Sequence, residues 1–238
     1  MGRQRSGQGH RWPRSPTAAR YSRRANRWPD STGRFCNDAC HPLHSDGHGA
    51  PLKQDSAFKE LIQQKFVNVH EVIETHAFLL FTKKGKVQKL LHALKYKGQS
   101  EVGVVMGFMF GQEMLENGIL PDADLIISVP LHKKRLKSRG YNQSDKLAEG
   151  FSKATNIPWS GKALQRTKYT QTQTGKTRNE RWENVRGVFT VNEDVRDKSI
   201  IIMDDVLTTG ATLEACIEIL KDAGCERFYI VTIASAQH

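Results

Sequence analysis

The sequence predicts an α/β fold: a mostly parallel sheet with helices on both faces. Three observations point there. Short apolar runs of strand length alternate with stretches of helical periodicity, the runs are continuously apolar as in strands covered on both sides, and turn or cap residues separate them. Thr75–Phe81 reads as the first strand, closed by a Lys83-Lys84-Gly85 turn. Val87, Leu90, Leu91 and Leu94 then repeat at the spacing of one helix face. A second helix spans about Glu101 to Glu116 and stops at Asn117-Gly118. Asp124–Val129, ended by Pro130, is a buried strand, and Leu147, Phe151 and Ala154 mark the next helix. Residues 160–186 are polar without a core pattern and predict a long mobile loop with one short helix. Ser199–Met203 is another buried strand. Thr212, Cys216, Ile219, Leu220 and Ala223 give the helix after it, and Phe228–Ala234 the last strand.

The chain has 238 residues, 38% of them hydrophobic, enough for one α/β domain with something small beside it. A mean hydropathy of −0.56 and the lack of any long apolar run exclude a membrane-spanning helix. Four cysteines are too few to staple a chain this long, and no secretory leader is visible, so a reducing, cytoplasmic location is expected.

Half of the net charge of +11 sits in a fifth of the chain. Residues 1–50 hold nine arginines, no lysine and three aspartates, a net of +6; the remainder carries +5. Residues 1–57 are rich in Arg, Ser, Gly and Pro and lack apolar periodicity, which predicts a basic, disordered arm ahead of a folded domain over 58–238. Such an arm could meet a polyanion such as single-stranded DNA; as a transit peptide it lacks the amphipathic stripe. Cys36, Cys40, His41, His44 and His48 crowd into thirteen residues, which makes Cys36 and Cys40 candidate zinc ligands. The Cys-x3-Cys spacing and the missing second cysteine pair set this cluster apart from a zinc finger. Cys216 and Cys225 read as small core residues.

The chemistry gathers at Ile200-Ile201-Ile202-Met203-Asp204-Asp205-Val206-Leu207-Thr208-Thr209-Gly210-Ala211-Thr212. A buried strand ends in two acids, and a threonine-rich turn follows and enters a helix. Open α/β sheets bind ligands at strand carboxyl ends. The turn offers N–H groups and hydroxyls at a helix N-terminus, where the dipole favours phosphate, and Gly210 would let the backbone approach it. Asp204 and Asp205 could accept hydrogen bonds from neighbouring sugar hydroxyls. Adjacent strand residues point to opposite faces, so both acids serve one ribose only if the chain is leaving the strand there. The bland alternative, a buried strand followed by a helix capped by Thr209 or Thr212, leaves two carboxylates at a hydrophobic strand end unexplained.

This segment resembles the phosphoribosyl pyrophosphate (PRPP) signature of type I phosphoribosyltransferases. Leu91-His92-Ala93-Leu94-Lys95-Tyr96-Lys97-Gly98, Val129-Pro130-Leu131-His132 through Arg139-Gly140-Tyr141-Asn142-Gln143, and Arg181-Trp182-Glu183-Asn184-Val185-Arg186-Gly187-Val188-Phe189 extend the resemblance to the competence-associated ComF branch. It covers about residues 75–238. That branch usually opens with a zinc finger of two Cys-x-x-Cys pairs, which this sequence lacks.

The resemblance implies a type I phosphoribosyltransferase core with a flexible hood. It implies a 5′-phosphate site at Thr208, Thr209, Gly210, Ala211 and Thr212, and a pyrophosphate loop over Pro130–Asn142 with Leu131, His132, Arg135 and Arg139. Lys133 and Lys134 read better as a solvated turn, with Lys137 adding charge. The hood over 166–186 would contribute Lys168, Arg178, Arg181 and Arg186. Mg²⁺ is expected to bridge pyrophosphate and ribose, steered by Asp204 and Asp205 through the sugar more than ligated by them. Enzymes of 6-oxopurine salvage carry an acid where Thr208 stands, so hypoxanthine and guanine are disfavoured and the nitrogen acceptor is open. Three functions remain: a Mg²⁺-dependent phosphoribosyltransferase, a non-catalytic PRPP- or nucleotide-binding protein of DNA uptake working with competence machinery, and a nucleic-acid binder acting through the arm. A homodimer is a further expectation.

Overall fold

The structure, a computed structural model, describes residues 56–82, 85–96, 98–168 and 187–236. The Cys36 and Cys40 cluster, the basic arm up to residue 55 and the hood residues Arg178, Arg181 and Arg186 lie outside the described residues. Chain order runs α1 (Ser56–Gln63), a 3-10 turn (Gln64–Phe66), β1 (Val72–Phe81), α2 (Lys86–Tyr96), α3 (Ser100–Glu116), β2 (Leu125–Ser128), α4 (Lys133–Arg139) and α5 (Gln143–Thr155). It continues through β3 (Trp159–Ser160), β4 (Leu164–Arg166), β5 (Phe189–Val191), β6 (Ser199–Leu207), α6 (Ala211–Asp222) and β7 (Arg227–Ala236).

Five strands form one sheet in the order β1-β7-β6-β2-β3, every neighbouring pair parallel. β6 is central, which explains its unbroken apolar run. Ile200 and Ile202 pack into a layer with Ile62 of α1 and Leu213, Cys216, Ile217 and Leu220 of α6. Ile201 and Met203 pack into the opposite layer with α2, α3 and α5 through Leu91, Leu94, Phe110, Leu147 and Phe151. The predicted parallel sheet with helices on both faces is therefore the observed one.

α3 is apolar nearly all round although Val105 and Leu115 are exposed, and α5 approaches it at backbone distance. A methyl on Gly107 would lie 2.0 Å from the Leu147 carbonyl oxygen, and one on Gly150 would lie 1.9 Å from that of Val104. Only glycine permits this approach. It carries the head of α5 to the carboxyl end of β6.

Three elements depart from the sequence expectations. Residues 160–168 are not all loop: Leu164, 2% exposed, opens β4, which pairs antiparallel with β5. Three residues with a single buried apolar one give no periodic signal. Pro130–Asn142 contains the short helix α4, capped by His132, whose Nδ1 accepts from Lys134 N, and ended by Gly140 at φ 80°. α1 begins at Ser56, and Ile62 and Phe66 anchor it to the core.

Candidate functional site

β6 does not turn away at its acids. It stays in register with β7 through Asp204–Thr232, Val206–Ala234 and Leu207–Ser235, because β7 continues beside it to Ala236. This corrects the condition set by the sequence reading, that the chain be leaving the strand there. Strand alternation holds, and the two side chains leave on opposite faces.

Asp205, buried, meets α2: Lys95 Nζ lies 2.7 Å from its Oδ2. Asp204 is half-buried. Its Oδ1 accepts from Ser144 Oγ at 2.9 Å and from the Asp205 N–H at 2.8 Å. Burial, then the charge of Asp205, pushes the Asp204 carboxyl up to about 7, against the opposing pull of those hydrogen bonds and of Lys95.

Two segments of the ComF resemblance brace these acids: Leu91–Gly98, to which the sequence assigned no role, and the end of the expected pyrophosphate loop. Tyr141 Oη donates to the Leu94 carbonyl, tying the end of α2 to the head of α5 beside Lys95. Asn142 caps α5 through Ser144 N and donates to the Val129 carbonyl at 3.0 Å and to Asp145 Oδ1 at 2.7 Å. Ser128 Oγ donates to the same Asp145 oxygen at 2.6 Å. Burial holds the Asp145 carboxyl above its ordinary value, with Ser128, Asn142 and Lys146 opposing. The network fixes where Ser144 presents its hydroxyl.

After Leu207 the turn begins. Thr208 and Thr209 are exposed, Ala211 and Thr212 half-buried, and Gly210 stands at φ 86°. The first hydrogen bond of α6 runs from Glu214 N to the Gly210 carbonyl, so the N–H groups of its first turn have no partner within the helix. The position the missing Cβ of Gly210 would take faces the ring of Phe66, 3.3 Å away, so backbone conformation and packing both call for glycine here. Lys65 reaches the same turn: its Nζ donates to the Thr208 carbonyl at 2.5 Å and to the Ala236 carbonyl at 3.1 Å.

Cations collect along α4 and β4. Leu131, His132, Arg135 and Arg139 are half-buried, whereas Lys133, Lys134 and Lys137 are exposed. Arg139 Nη1 donates to Gln143 Oε1 at 2.8 Å. Loss of water, then Lys134, Arg166, Arg135 and Lys133, holds His132 below its ordinary value. Arg166 packs over the Phe189 ring, 5.5 Å from its centroid. Burial and Arg135 press its pKa down, while Cys216 and Asp204 oppose. Lys168, of the predicted hood, is exposed, with its Nζ beside Gly187, and Thr167 N donates to the Val188 carbonyl at 2.7 Å. Lys95, Ser144, Arg166 and Lys65 were not predicted. Of these only Lys95 carried a signal, as part of the Leu91–Gly98 segment of the resemblance. Cys216 and Cys225 are buried free thiols, as expected of core residues.

A parallel sheet whose central strand ends in two acids and a threonine-glycine turn at a helix start defines a phosphoribosyltransferase-type core, and residues 137–238 match the family described as phosphoribosyl transferase domain. The chain is 35% identical over 140 residues to the DNA utilization protein YhgH of Escherichia coli O157:H7, covering 57% of this chain and 61% of that protein. It is 34% identical over 120 residues to competence protein F of Haemophilus influenzae, covering 49% and 52%. Residues 137–238 therefore resemble phosphoribosyl transferase domains, and over about half of its length the chain is similar to DNA utilization and competence proteins. The chain thus spans less than two-thirds of the length of these relatives. Among solved structures, a B. subtilis glutamine PRPP amidotransferase complexed with ADP and GMP aligns at a TM-score of 0.41 and 19% identity, over 59% of this chain and 30% of that one. Among the described residues no helix is long and apolar enough to cross a membrane.

Proposed function

We propose that this domain binds PRPP at the carboxyl end of β6 and transfers its phosphoribosyl group to a nitrogen acceptor. The observation that carries the reading is the half-buried Asp204, followed within one turn by the exposed Thr208 and Thr209 at the head of α6. An acid that can accept from a sugar hydroxyl stands one short loop away from N–H groups that can donate to a phosphate. Thr208, Thr209, Gly210, Ala211 and Thr212 seat the 5′-phosphate. Asp204 meets the ribose hydroxyls directly. Asp205, engaged by Lys95, acts beside it and fixes the charge of the strand end. Arg135, Arg139, His132 and Leu131 face the pyrophosphate, together with Arg166, which stands within electrostatic reach of both Arg135 and Asp204.

In the transfer, the acceptor nitrogen forms a bond to C1′ while the C1′–oxygen bond to pyrophosphate breaks. Pyrophosphate leaves with the electron pair, and the nitrogen loses its proton. The α4 and β4 cations stabilise the leaving charge, and the site orients the sugar. Magnesium bound with the substrate would supply charge neutralisation, and Asp204 and Asp205 would steer it through the sugar hydroxyls. Asp204 Oδ1 and Asp205 Oδ2 already have partners, and no group of three metal-ligand side chains gathers among the described residues.

A second reading draws on the relatives' names, DNA utilization and competence: a PRPP- or nucleotide-binding protein of DNA uptake without turnover. Calorimetric titration with PRPP and Mg²⁺ tests the shared site. Saturable binding lost in Asp204→Asn supports it, and no binding by the wild type removes both readings. Pyrophosphate release with a pool of nitrogen acceptors then separates them.

A further inference from the structure

The segment just ahead of β1 is foreign to every motif of the family resemblance, yet it supports the turn that follows the acids. We propose that Lys65 is a positioning residue of the phosphate turn, and that α1 with its 3-10 extension is part of the binding site. The inference rests on the reading of Thr208–Thr212 as a phosphate seat.

The argument starts from the two carbonyls. β6 ends at Leu207 and β7 at Ala236, so the Thr208 and Ala236 carbonyl oxygens lie where the ladder gives out. Lys65 Nζ takes both, at 2.5 and 3.1 Å. Burial holds the Lys65 ammonium below its ordinary pKa, and the two carbonyls replace part of its lost water. In a trans peptide the C=O and the following N–H point in opposite directions, and no cis bond occurs among the described residues. Pinning the Thr208 carbonyl onto Lys65 therefore turns the Thr209 N–H away from Lys65, to the other side of the peptide plane. Next in sequence, Phe66 lies 3.3 Å from where a Gly210 Cβ would stand and fills the underside of the turn. One residue sets the peptide and its neighbour fills the floor. The ammonium also adds a positive charge beside a turn meant for an anion.

The test compares Lys65→Met, which keeps the stem and removes the charge, with Lys65→Arg, which can still donate to both carbonyls. Two readouts are taken on the full chain: the amide NMR signals of Thr209 and Gly210 without ligand, and calorimetric affinity for ribose 5-phosphate. Expected are displaced Thr209 and Gly210 amides in Lys65→Met and affinity weaker by about tenfold, with both largely recovered in Lys65→Arg. Unchanged amides in Lys65→Met overturn the inference, as does unchanged affinity when the wild type binds. Displaced amides in Lys65→Met, together with a wild type that binds neither ribose 5-phosphate nor PRPP, would leave the positioning role standing and remove the PRPP reading. Should Lys65→Met fail to fold, Lys65→Arg decides: wild-type amides and affinity support the role, and loss of affinity with undisplaced amides overturns it.

Discussion

Lys95 and Asp205 form an ion pair at 2.7 Å that joins the end of α2 to the buried acid of β6. Asp205 is buried, so that partner stands where water otherwise would. Strand alternation had already separated the two acids, and the pair with Lys95 makes them chemically unequal: Asp205 is neutralised from behind, while Asp204 borders the turn.

Removing Lys95 should therefore cost more than removing an exposed ion-pair partner. Lys95→Met strands a buried carboxylate, and a loss of about 1–3 kcal/mol is expected from urea denaturation midpoints at pH 8. Asp205→Asn in the Lys95→Met background should restore most of it. Equal midpoints for wild type and Lys95→Met would show that the pair is only a surface contact.

Gly210 offers a prediction in which two causes separate. Gly210→Ala places a side chain at φ 86° and against Phe66, and should destabilise by about 1–2 kcal/mol. Phe66→Leu in the same background relieves the contact but not the backbone strain, so thermal melting should recover only in part. Full recovery would assign the glycine to packing alone.

How far the sequence could be read follows from where its contacts lie. The run from β6 through the turn into α6 is contiguous, so acids, threonines and glycine appear in one line of text. The four long core strands and the faces of α2, α5 and α6 are legible for the same local reason, since Ile200–Met203 or Leu147, Phe151 and Ala154 carry their periodicity with them. Lys65 is illegible because its partners stand 143 and 171 residues away. Ser144 meets Asp204 across 60 residues, and nothing local in either reveals the other. β4 and β5 are too short to show a period. The contact between Gly210 and Phe66 is likewise supplied only by the fold.

The α3–α5 contact should tolerate no methyl. Gly107→Ala and Gly150→Ala each drive a side chain into a backbone carbonyl, and about 2–3 kcal/mol of destabilisation is expected for each by thermal melting. Gly118→Ala is a control of a different kind: nothing lies within 4 Å of its added carbon, and its cost comes only from φ 66°. Because α5 carries Ser144, the Gly107 and Gly150 variants should also weaken PRPP binding, and Gly118→Ala should not.

Asp204 makes the stability of the domain depend on pH in a direction opposite to that of a salt-bridged acid. Its folded pKa, about 7, lies above the ordinary value of 3.8, so between these the native state holds a proton that the unfolded chain has lost. Stability should fall as pH rises from about 4 to about 7 and level off above, since the native state binds more protons over that window. Asp204→Asn removes the term: at pH 8 the variant should be more stable than wild type, by roughly 2 kcal/mol, and the advantage should vanish near pH 4. Ligand binding should run the other way. A sugar hydroxyl donates best to the ionised carboxylate, so PRPP affinity should strengthen as pH rises through about 7 in the wild type, beyond what titration of the PRPP phosphates alone produces in Asp204→Asn. Denaturation midpoints and calorimetry at pH 5, 6, 7 and 8 measure both. A wild type whose stability rises across that range in parallel with Asp204→Asn would show that Asp204 is ionised throughout, held by Ser144 and the Asp205 N–H rather than opposed by its burial.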